Sequence, residues 1–184
     1  KWNMEDSPSS TTDGLDLEND KEFVYVDGKD GKALQIDGKS QHIYAPLKVG
    51  DNQLKCDEDF TLSMWINPSK TSLPDSDQII LAQQTGTQGG RPWLFLYNDT
   101  LGTFLGNINT FGKIPLKVNE WQYVAVTFHV IDQDNKKGEV ALYVNGQLDT
   151  KAIITYEPDS LGKPELLLGR HKNDTKGFYK GFMD

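Results

Sequence analysis

The sequence has little of several features that define whole classes of protein. Its 184 residues include one cysteine, Cys56, which excludes an intrachain disulfide and a cysteine-based zinc site. It has no run of 18 apolar residues, which argues against a transmembrane helix within this sequence. Basic residues are also few: 19 stand against 27 acidic ones, and the net charge of −8 argues against nucleic acid and anionic membranes as partners.

Helical periodicity is missing as well, whereas strand patterns and aromatic residues are frequent. No long segment repeats its apolar positions every 3.6 residues, so almost no helix is expected. The clearest alternating segments are 60–66, 121–130 and 139–144, and the last is followed by Asn145-Gly146, a pair typical of tight hairpins. Shorter candidate strands cover residues 33–36, 79–83, 93–97, 102–105, 165–168 and 178–183.

These patterns predict a single all-β domain over residues 1–184. The segment 1–20 is polar and rich in Ser, Thr and Asp, and residues 2–5 are a candidate first strand within it. Aromatic residues make up 10% of the chain and include four tryptophans, which fits a folded β domain with a polar surface rather than a disordered chain.

Several short motifs occur in an order that resembles the concanavalin A-like, laminin-G-like jelly-roll domains of secreted bacterial proteins. The resemblance implies a two-sheet antiparallel jelly-roll sandwich and an extracellular or cell-surface location. Such domains usually continue with a further strand after the last motif, so either a C-terminal strand is missing after Asp184 or a larger polypeptide has been cut there, and we expect a module of a multidomain protein. The matching segments are 2–5 (WNME), 30–38 (DGKALQIDG), 60–66 (FTLSMWI), 121–128 (WQYVAVTF), 142–147 (LYVNGQ), 168–170 (LGR) and 181–184 (GFMD).

A narrower stretch is similar to the fructan-binding modules attached to secreted glycoside hydrolases. It comprises residues 83–94 (QQTGTQGGRPWL) and 101–106 (LGTFLG). This resemblance implies that the ligand is a β-fructan such as levan. It also implies that the catalytic domain of the same polypeptide is a partner.

Motifs for catalysis are missing from the sequence. Jelly-roll glucanases carry a strand of alternating acids of the form Glu-x-Asp-x-x-Glu, and no such strand occurs here. No Gly-x-Ser-x-Gly turn and no phosphate-binding loop are present either. The three histidines, His42, His129 and His171, lack metal-ligand spacing. The sequence therefore predicts a chain without enzymatic activity of its own.

Residues 83–111 contain the side-chain types that sugar binding requires, namely planar polar groups and an aromatic platform. Strand alternation predicts that Trp93, Phe95 and Tyr97 share one face, where they form either a platform or core. Residues 107–111 (NINTF) are expected to form a polar loop that could cap the same site. The predicted ligand-binding residues are Gln83, Arg91, Trp93, Tyr97, Asn109, Arg170 and Tyr179.

A structural calcium ion is a further expectation, because jelly-roll lectin modules often hold one. By resemblance, Asp184 would be a ligand, with Asp37 and Glu5 nearby. Calcium takes six to eight oxygen ligands, and this sequence has no continuous calcium loop, so the ligands would come from remote segments.

The leading hypothesis is a non-catalytic carbohydrate-binding module that holds a secreted glycoside hydrolase on its polysaccharide. Three alternatives stay open. A laminin-G-like adhesion domain would bind a protein instead of a glycan. The chain could also be the accessory part of a glycosidase. In a sialic-acid-binding module, Arg91 or Arg170 would face the sugar carboxylate.

Overall fold

The computed structural model describes most of the chain. Only the backbone is described for Pro46, Gln84, Arg91 and Pro92. The described residues are 4–5, 7–9, 16–19, 22–39, 41, 43–46, 57–71, 77–84, 91–105, 108–156, 165–170 and 177–184.

The described residues form fourteen β-strands in two sheets of seven strands each, and they contain no helix. All pairings between these strands are antiparallel. In spatial order, sheet one contains β1 (Glu18–Asn19), β4 (Ile43–Pro46), β13 (Glu165–Leu168), β6 (Gln78–Gln84), β7 (Arg91–Tyr97), β8 (Thr100–Leu105) and β9 (Ile108–Phe111). Sheet two contains β12 (Gln147–Thr155), β11 (Lys137–Val144), β10 (Gln122–Asp132), β5 (Phe60–Pro68), β14 (Lys180–Met183), β3 (Lys32–Asp37) and β2 (Tyr25–Asp27).

This architecture confirms the predicted all-β jelly-roll sandwich. The Asn145-Gly146 hairpin between β11 and β12 is also confirmed, because both residues have positive φ, 51° and 79°. The expectation for residues 107–111 was wrong in part, since Ile108–Phe111 form the edge strand β9. Of the candidate first strand, Met4 and Glu5 are not in a strand, and residues 2 and 3 lie outside the described residues.

The main core lies between the two sheets and is built by strand alternation. Along β10, Val124, Val126 and Phe128 are buried in this core, so the residues between them face the outside of sheet two. The Phe60 ring packs against Trp93 at 4.8 Å and against Phe128 at 5.5 Å, which connects the two sheets. Within the part of the chain described here, no helix is long and apolar enough to cross a membrane.

Candidate functional site

The outer face of sheet one carries a row of residues that crosses four strands. Ile79 pairs with Phe95, Phe95 pairs with Gly102, and Gly102 pairs with Phe111. Phe178 adjoins the row through a bridge to Ile79. Neighbouring strands are about 4.8 Å apart, so the row spans roughly 19 Å.

The middle of this face is a second apolar cluster, separate from the main core. Ile79, Ala82, Phe95 and Leu167 form it and are almost fully buried. Tyr44 and Phe104 are partly buried and pack against it. The cluster gives the outer face a rigid apolar base.

At the β9 edge of this base, two aromatic rings are exposed to solvent. The side chains of Tyr97 and Phe111 are 41% and 40% exposed, and their ring centroids are 4.8 Å apart with an interplanar angle of 35°. Phe95 supports Phe111 from below with an edge-on contact at 6.1 Å. Large aromatic side chains are usually buried, so an exposed pair that rests on a fixed base is suited to contact a ligand.

Asn109 lies beside this pair. It is exposed and is located two residues before Phe111 on β9, so both side chains leave the strand on the same face. Its amide group offers donors and an acceptor next to the rings. We refer to Tyr97, Phe111 and Asn109 as the aromatic edge site.

Trp93 does not belong to the aromatic edge site, and the prediction that it forms the platform is wrong. The side chain has no exposed surface and lies in the main core. The register of β6 and β7 explains this outcome, because each strand has one residue without a partner in the other. Ile80 is the extra residue in β6, and Trp93 is the extra residue in β7. The neighbouring partners are Ile79 with Phe95, Leu81 with Leu94, and Ala82 with Pro92. A bulge of this kind resets the alternation, which turns Trp93 inward while Phe95 and Tyr97 stay outside.

Two other predicted ligand contacts, Gln83 and Tyr179, are buried as well. Gln83 is only 1% exposed and pairs with Leu166, a residue of the main core. Tyr179 has no exposed surface, and its hydroxyl donates a hydrogen bond to the Phe182 carbonyl at 3.2 Å. Burial raises the pKa of the Tyr179 hydroxyl. Neither residue can touch a sugar, because direct contact requires exposed polar atoms.

Arg170 is partly buried and lies at the other end of the row. Its guanidinium carbon is 4.9 Å from the centroid of the Phe178 ring. Since Phe178 and Phe111 are at opposite ends of a row of roughly 19 Å, Arg170 is well separated from the aromatic edge site. The predicted contact Arg91 has a side chain outside the described residues.

The three residues expected to bind calcium do not meet at one place. Asp184 Oδ2 accepts hydrogen bonds from the backbone N–H groups of Lys29 at 2.8 Å and Asp30 at 3.0 Å. Glu5 Oε1 accepts one from the N–H of Lys32 at 3.4 Å, so both carboxylates lie against the same turn.

Asp37 and Asp184 lie at opposite ends of the strand pair β3 and β14. Asp37 pairs with Lys180 at one end. At the other end Leu34 pairs with Met183, the residue before Asp184. This puts Asp37 roughly 14 Å from Asp184 along the strands. The expectation that Asp37 shares a site with Asp184 and Glu5 is therefore wrong. Among the residues with described positions, no group of three His, Cys, Asp or Glu side chains could hold a metal.

Sequence patterns locate part of the aromatic edge site and miss the rest. They place Phe111 at the aromatic end of a loop rather than among the ligand contacts. The residue that could have indicated the packed rings is Gly102, a glycine inside strand β8. In the structure a Cβ added at this position would be only 2.5 Å from Phe95 Cε2. A glycine opposite an aromatic residue indicates close packing of a ring across the strands.

Comparison with known protein families gives one match that covers most of the chain. A family model described as the concanavalin A-like lectin/glucanases superfamily matches residues 37–184. No curated protein matches the chain at a significant level.

Solved structures share this fold at low sequence identity. Domain 4 of AbnA, an extracellular GH43 arabinanase from Geobacillus stearothermophilus in complex with arabinotriose, is 17% identical with a TM-score of 0.70. That alignment covers 97% of this chain and 84% of the domain. A putative carbohydrate binding protein from Bacteroides ovatus is 20% identical with a TM-score of 0.55, over 84% of this chain and 43% of that protein.

The binding domain of botulinum neurotoxin DC, in complex with SialylT, is 11% identical with a TM-score of 0.60. The alignment covers 92% of this chain and 42% of that domain. The chain thus spans less than half of the Bacteroides protein and of the toxin domain. At these identities the similarity shows the fold alone.

Proposed function

Because the chain belongs to the concanavalin A-like lectin/glucanases superfamily, we propose that it is a non-catalytic carbohydrate-binding module. In this proposal it is extracellular or on the cell surface, and it holds a parent glycoside hydrolase on its polysaccharide. The observation that carries the proposal is the exposed pair of Tyr97 and Phe111 on a rigid apolar base. A sugar ring presents a C–H face that packs on such rings, while Asn109 hydrogen-bonds its hydroxyls.

The ligands in two of the solved structures support the proposal. The arabinanase domain binds arabinotriose and belongs to an extracellular enzyme, and the toxin domain binds SialylT. β-Fructan is the ligand that the sequence resemblance implies, and an arabinose-based glycan is the one that the arabinanase domain suggests. Single-site affinity is expected to be modest, since a shallow site with few anchors leaves little free energy after the ordering costs.

The test of this function is calorimetric titration against levan, fructose oligomers, arabinotriose, sialyllactose and a β-glucan. We expect binding to one of these, and at the aromatic edge site a Tyr97→Ala, Phe111→Ala variant should bind at least about tenfold more weakly, a loss of about 1.4 kcal/mol. Ile108→Ala is the matched control, because Ile108 is 46% exposed on the same strand and pairs with core residue Leu105.

Each contrary outcome of this titration rejects a different part of the proposal. If the folded protein binds none of the glycans, the carbohydrate function is wrong and an adhesion role takes its place. If the double variant binds a glycan as tightly as Ile108→Ala does and at the same number of sites per chain, the function stands and the aromatic edge site is wrong. A preference for sialyllactose would favour the sialic-acid-binding alternative over a fructan or arabinan module.

We also propose a calcium ion at the turn of residues 28–32, now restricted to Glu5 and Asp184 among the carboxylates. The remaining oxygens would come from backbone carbonyls and water. Calcium should then raise the melting temperature of the protein, and an Asp184→Asn variant should lose that rise while keeping its glycan affinity. Melting curves in calcium and in EDTA measure this, with Asp37→Asn as the control. Identical curves in both buffers would reject the site.

A further inference from the structure

The outer face of sheet two carries a separate group of aromatic residues. Strand alternation along β5 and β10 buries the residues on the core side, such as Ile66 and Val124, and sends Trp65 and Tyr123 outward. These two residues are direct cross-strand partners, and their ring centroids are 5.3 Å apart at 56°. Both side chains are partly exposed. This face is opposite the aromatic edge site, across the full thickness of the sandwich.

More aromatic surface extends from this pair along the same side of the protein. Trp121, just before β10, lies 6.4 Å from Phe182 on β14, and both are partly exposed. The Nζ atom of Lys29 is 5.1 Å from the Trp65 ring centroid, which leaves an ammonium donor at the rim of the pair. Partly exposed rings that cluster on the outer face of a sandwich form an apolar patch, and such patches mark surfaces for contact with a ligand.

The surface beside the pair is lined by small and hydroxyl-bearing residues. Ser63 pairs with Ala125, which in turn pairs with Tyr143 on β11. One step further along the strands, Thr61 pairs with Thr127. The short side chains of Ser63, Ala125 and the two threonines leave a low floor beside Tyr143, and the hydroxyl groups offer both donors and acceptors.

Carboxylates on this face accept hydrogen bonds from neighbouring side chains, although the whole chain has a net charge of −8. At its far end, His129 Nδ1 is 2.6 Å from Asp59 Oδ2, and Lys151 Nζ donates to Glu139 Oε2 at 3.0 Å. The hydrogen bonds from the Val130 N–H and from His129 lower the pKa of Asp59, which keeps its carboxylate ionised. Charges that are already paired fit a neutral ligand better than an anionic or a cationic one.

From these observations we propose that the outer face of sheet two is a second carbohydrate-binding surface, which takes a neutral polysaccharide chain. Trp65 and Tyr123 pack on its sugar rings, and Lys29, Ser63 and Thr61 contact its hydroxyls. The proposal rests on the proposed function for the class of ligand, but it uses none of the residues of the aromatic edge site. Two sites on opposite faces allow one module to join two polysaccharide chains, which raises the avidity for a polymer without any new contact.

The test is affinity electrophoresis in gels that contain levan, linear arabinan or a neutral β-glucan, combined with titration of a short oligomer of the retarding polymer. Four proteins are compared: wild type, Tyr97→Ala with Phe111→Ala, Trp65→Ala with Tyr123→Ala, and the quadruple variant. Ile153→Ala is the matched control, because Ile153 pairs with Glu139 at the far end of sheet two and is 55% exposed. Melting curves verify that each variant is folded.

We expect two sites per wild-type chain, one site in each double variant and none in the quadruple variant. Each double variant should lose about tenfold or more of the affinity for the polymer, because avidity is lost. A blue shift of tryptophan fluorescence on binding should persist in the Tyr97→Ala, Phe111→Ala variant and vanish when Trp65 is replaced. A folded Trp65→Ala, Tyr123→Ala variant that matches Ile153→Ala in every gel would overturn the second surface.

The failures of the two proposals remain distinguishable. If only the Tyr97→Ala, Phe111→Ala variant loses binding, the proposed function stands and the second surface is rejected. If only the Trp65→Ala, Tyr123→Ala variant loses binding, sheet two carries the function and the aromatic edge site is rejected. If the folded wild type migrates freely in all gels and binds no oligomer, both proposals fail, and the Trp65 face becomes a candidate for protein contacts.

Discussion

Replacing Trp93 with alanine should lower the free energy of unfolding by about 3–5 kcal/mol, as removal of a buried tryptophan from a packed core does. The ring has no exposed surface and packs against Phe60 at 4.8 Å, and Phe60 in turn contacts Phe128. The alanine variant would leave a cavity at the point where the two sheets are connected. Phe60 and Phe128 could fill only part of it, since a packed interior relaxes incompletely.

Urea unfolding measures this loss of unfolding free energy, and a Trp93→Phe variant is measured for comparison. The Trp93 indole N–H is buried without a hydrogen-bond partner among the described residues, so phenylalanine keeps much of the ring and removes an unsatisfied donor. We therefore expect a clearly smaller loss for Trp93→Phe and an unchanged glycan affinity. A stable Trp93→Ala protein that has lost only its affinity would show that this ring is a ligand contact after all.

The contrast between Trp93 and its neighbours shows where sequence reasoning works in this protein. Alternation is a local property, so it predicts long regular strands such as β5 and β10 with their correct inner and outer faces. It fails at Trp93, because the paired bulges at Ile80 and Trp93 depend on how β6 and β7 meet. Pro92 in β7 is a residue type that indicates a bulge within a sheet, but a strict period of two takes no account of it and assigns Trp93 to the wrong face.

Residues that lie far apart in sequence present a different difficulty. The resemblance puts Glu5 beside Asp184, and in the structure both carboxylates lie against the turn of residues 28–32. It also assigns Asp37 to the same place. Strand β3 separates Asp37 from Asp184, and a motif gives the residue type without giving its position along the strand pair. The position of Phe111 on a strand was not predicted, because β9 is a short edge strand whose polar residues are typical of a loop.

Replacing Gly102 with alanine should lower both the free energy of unfolding and the affinity for glycan. Both effects are expected because the Phe95 ring next to Gly102 also contacts Phe111 of the aromatic edge site. A Cβ at this position would be 2.5 Å from Phe95 Cε2 and 2.6 Å from Phe95 Cζ. Phe95 is fully buried and cannot swing into solvent, so its ring has to shift within the packed cluster. Overpacking of this kind costs about 1–3 kcal/mol.

The displacement should reach the ligand because the rings form a chain of contacts. Phe95 meets Phe111 edge-on at 6.1 Å, and Phe111 meets Tyr97 at 4.8 Å. Moving the first ring tilts the exposed pair, and stacking on a sugar depends on the orientation of both rings. We therefore expect a loss of affinity of about tenfold, which corresponds to 1.4 kcal/mol.

A double-mutant cycle with Phe95→Leu separates this mechanism from general destabilisation. If the clash with the Phe95 ring is the cause, Gly102→Ala should cost less stability in the Phe95→Leu background, with a coupling energy of about 0.5–3 kcal/mol. Gly146→Ala is the control, because its φ is +79° and a Cβ there meets nothing within 4 Å. It should cost stability through backbone strain alone and leave the affinity unchanged. Additive losses in the cycle, or an equal loss of affinity in Gly146→Ala, would show that Phe95 does not position the exposed rings.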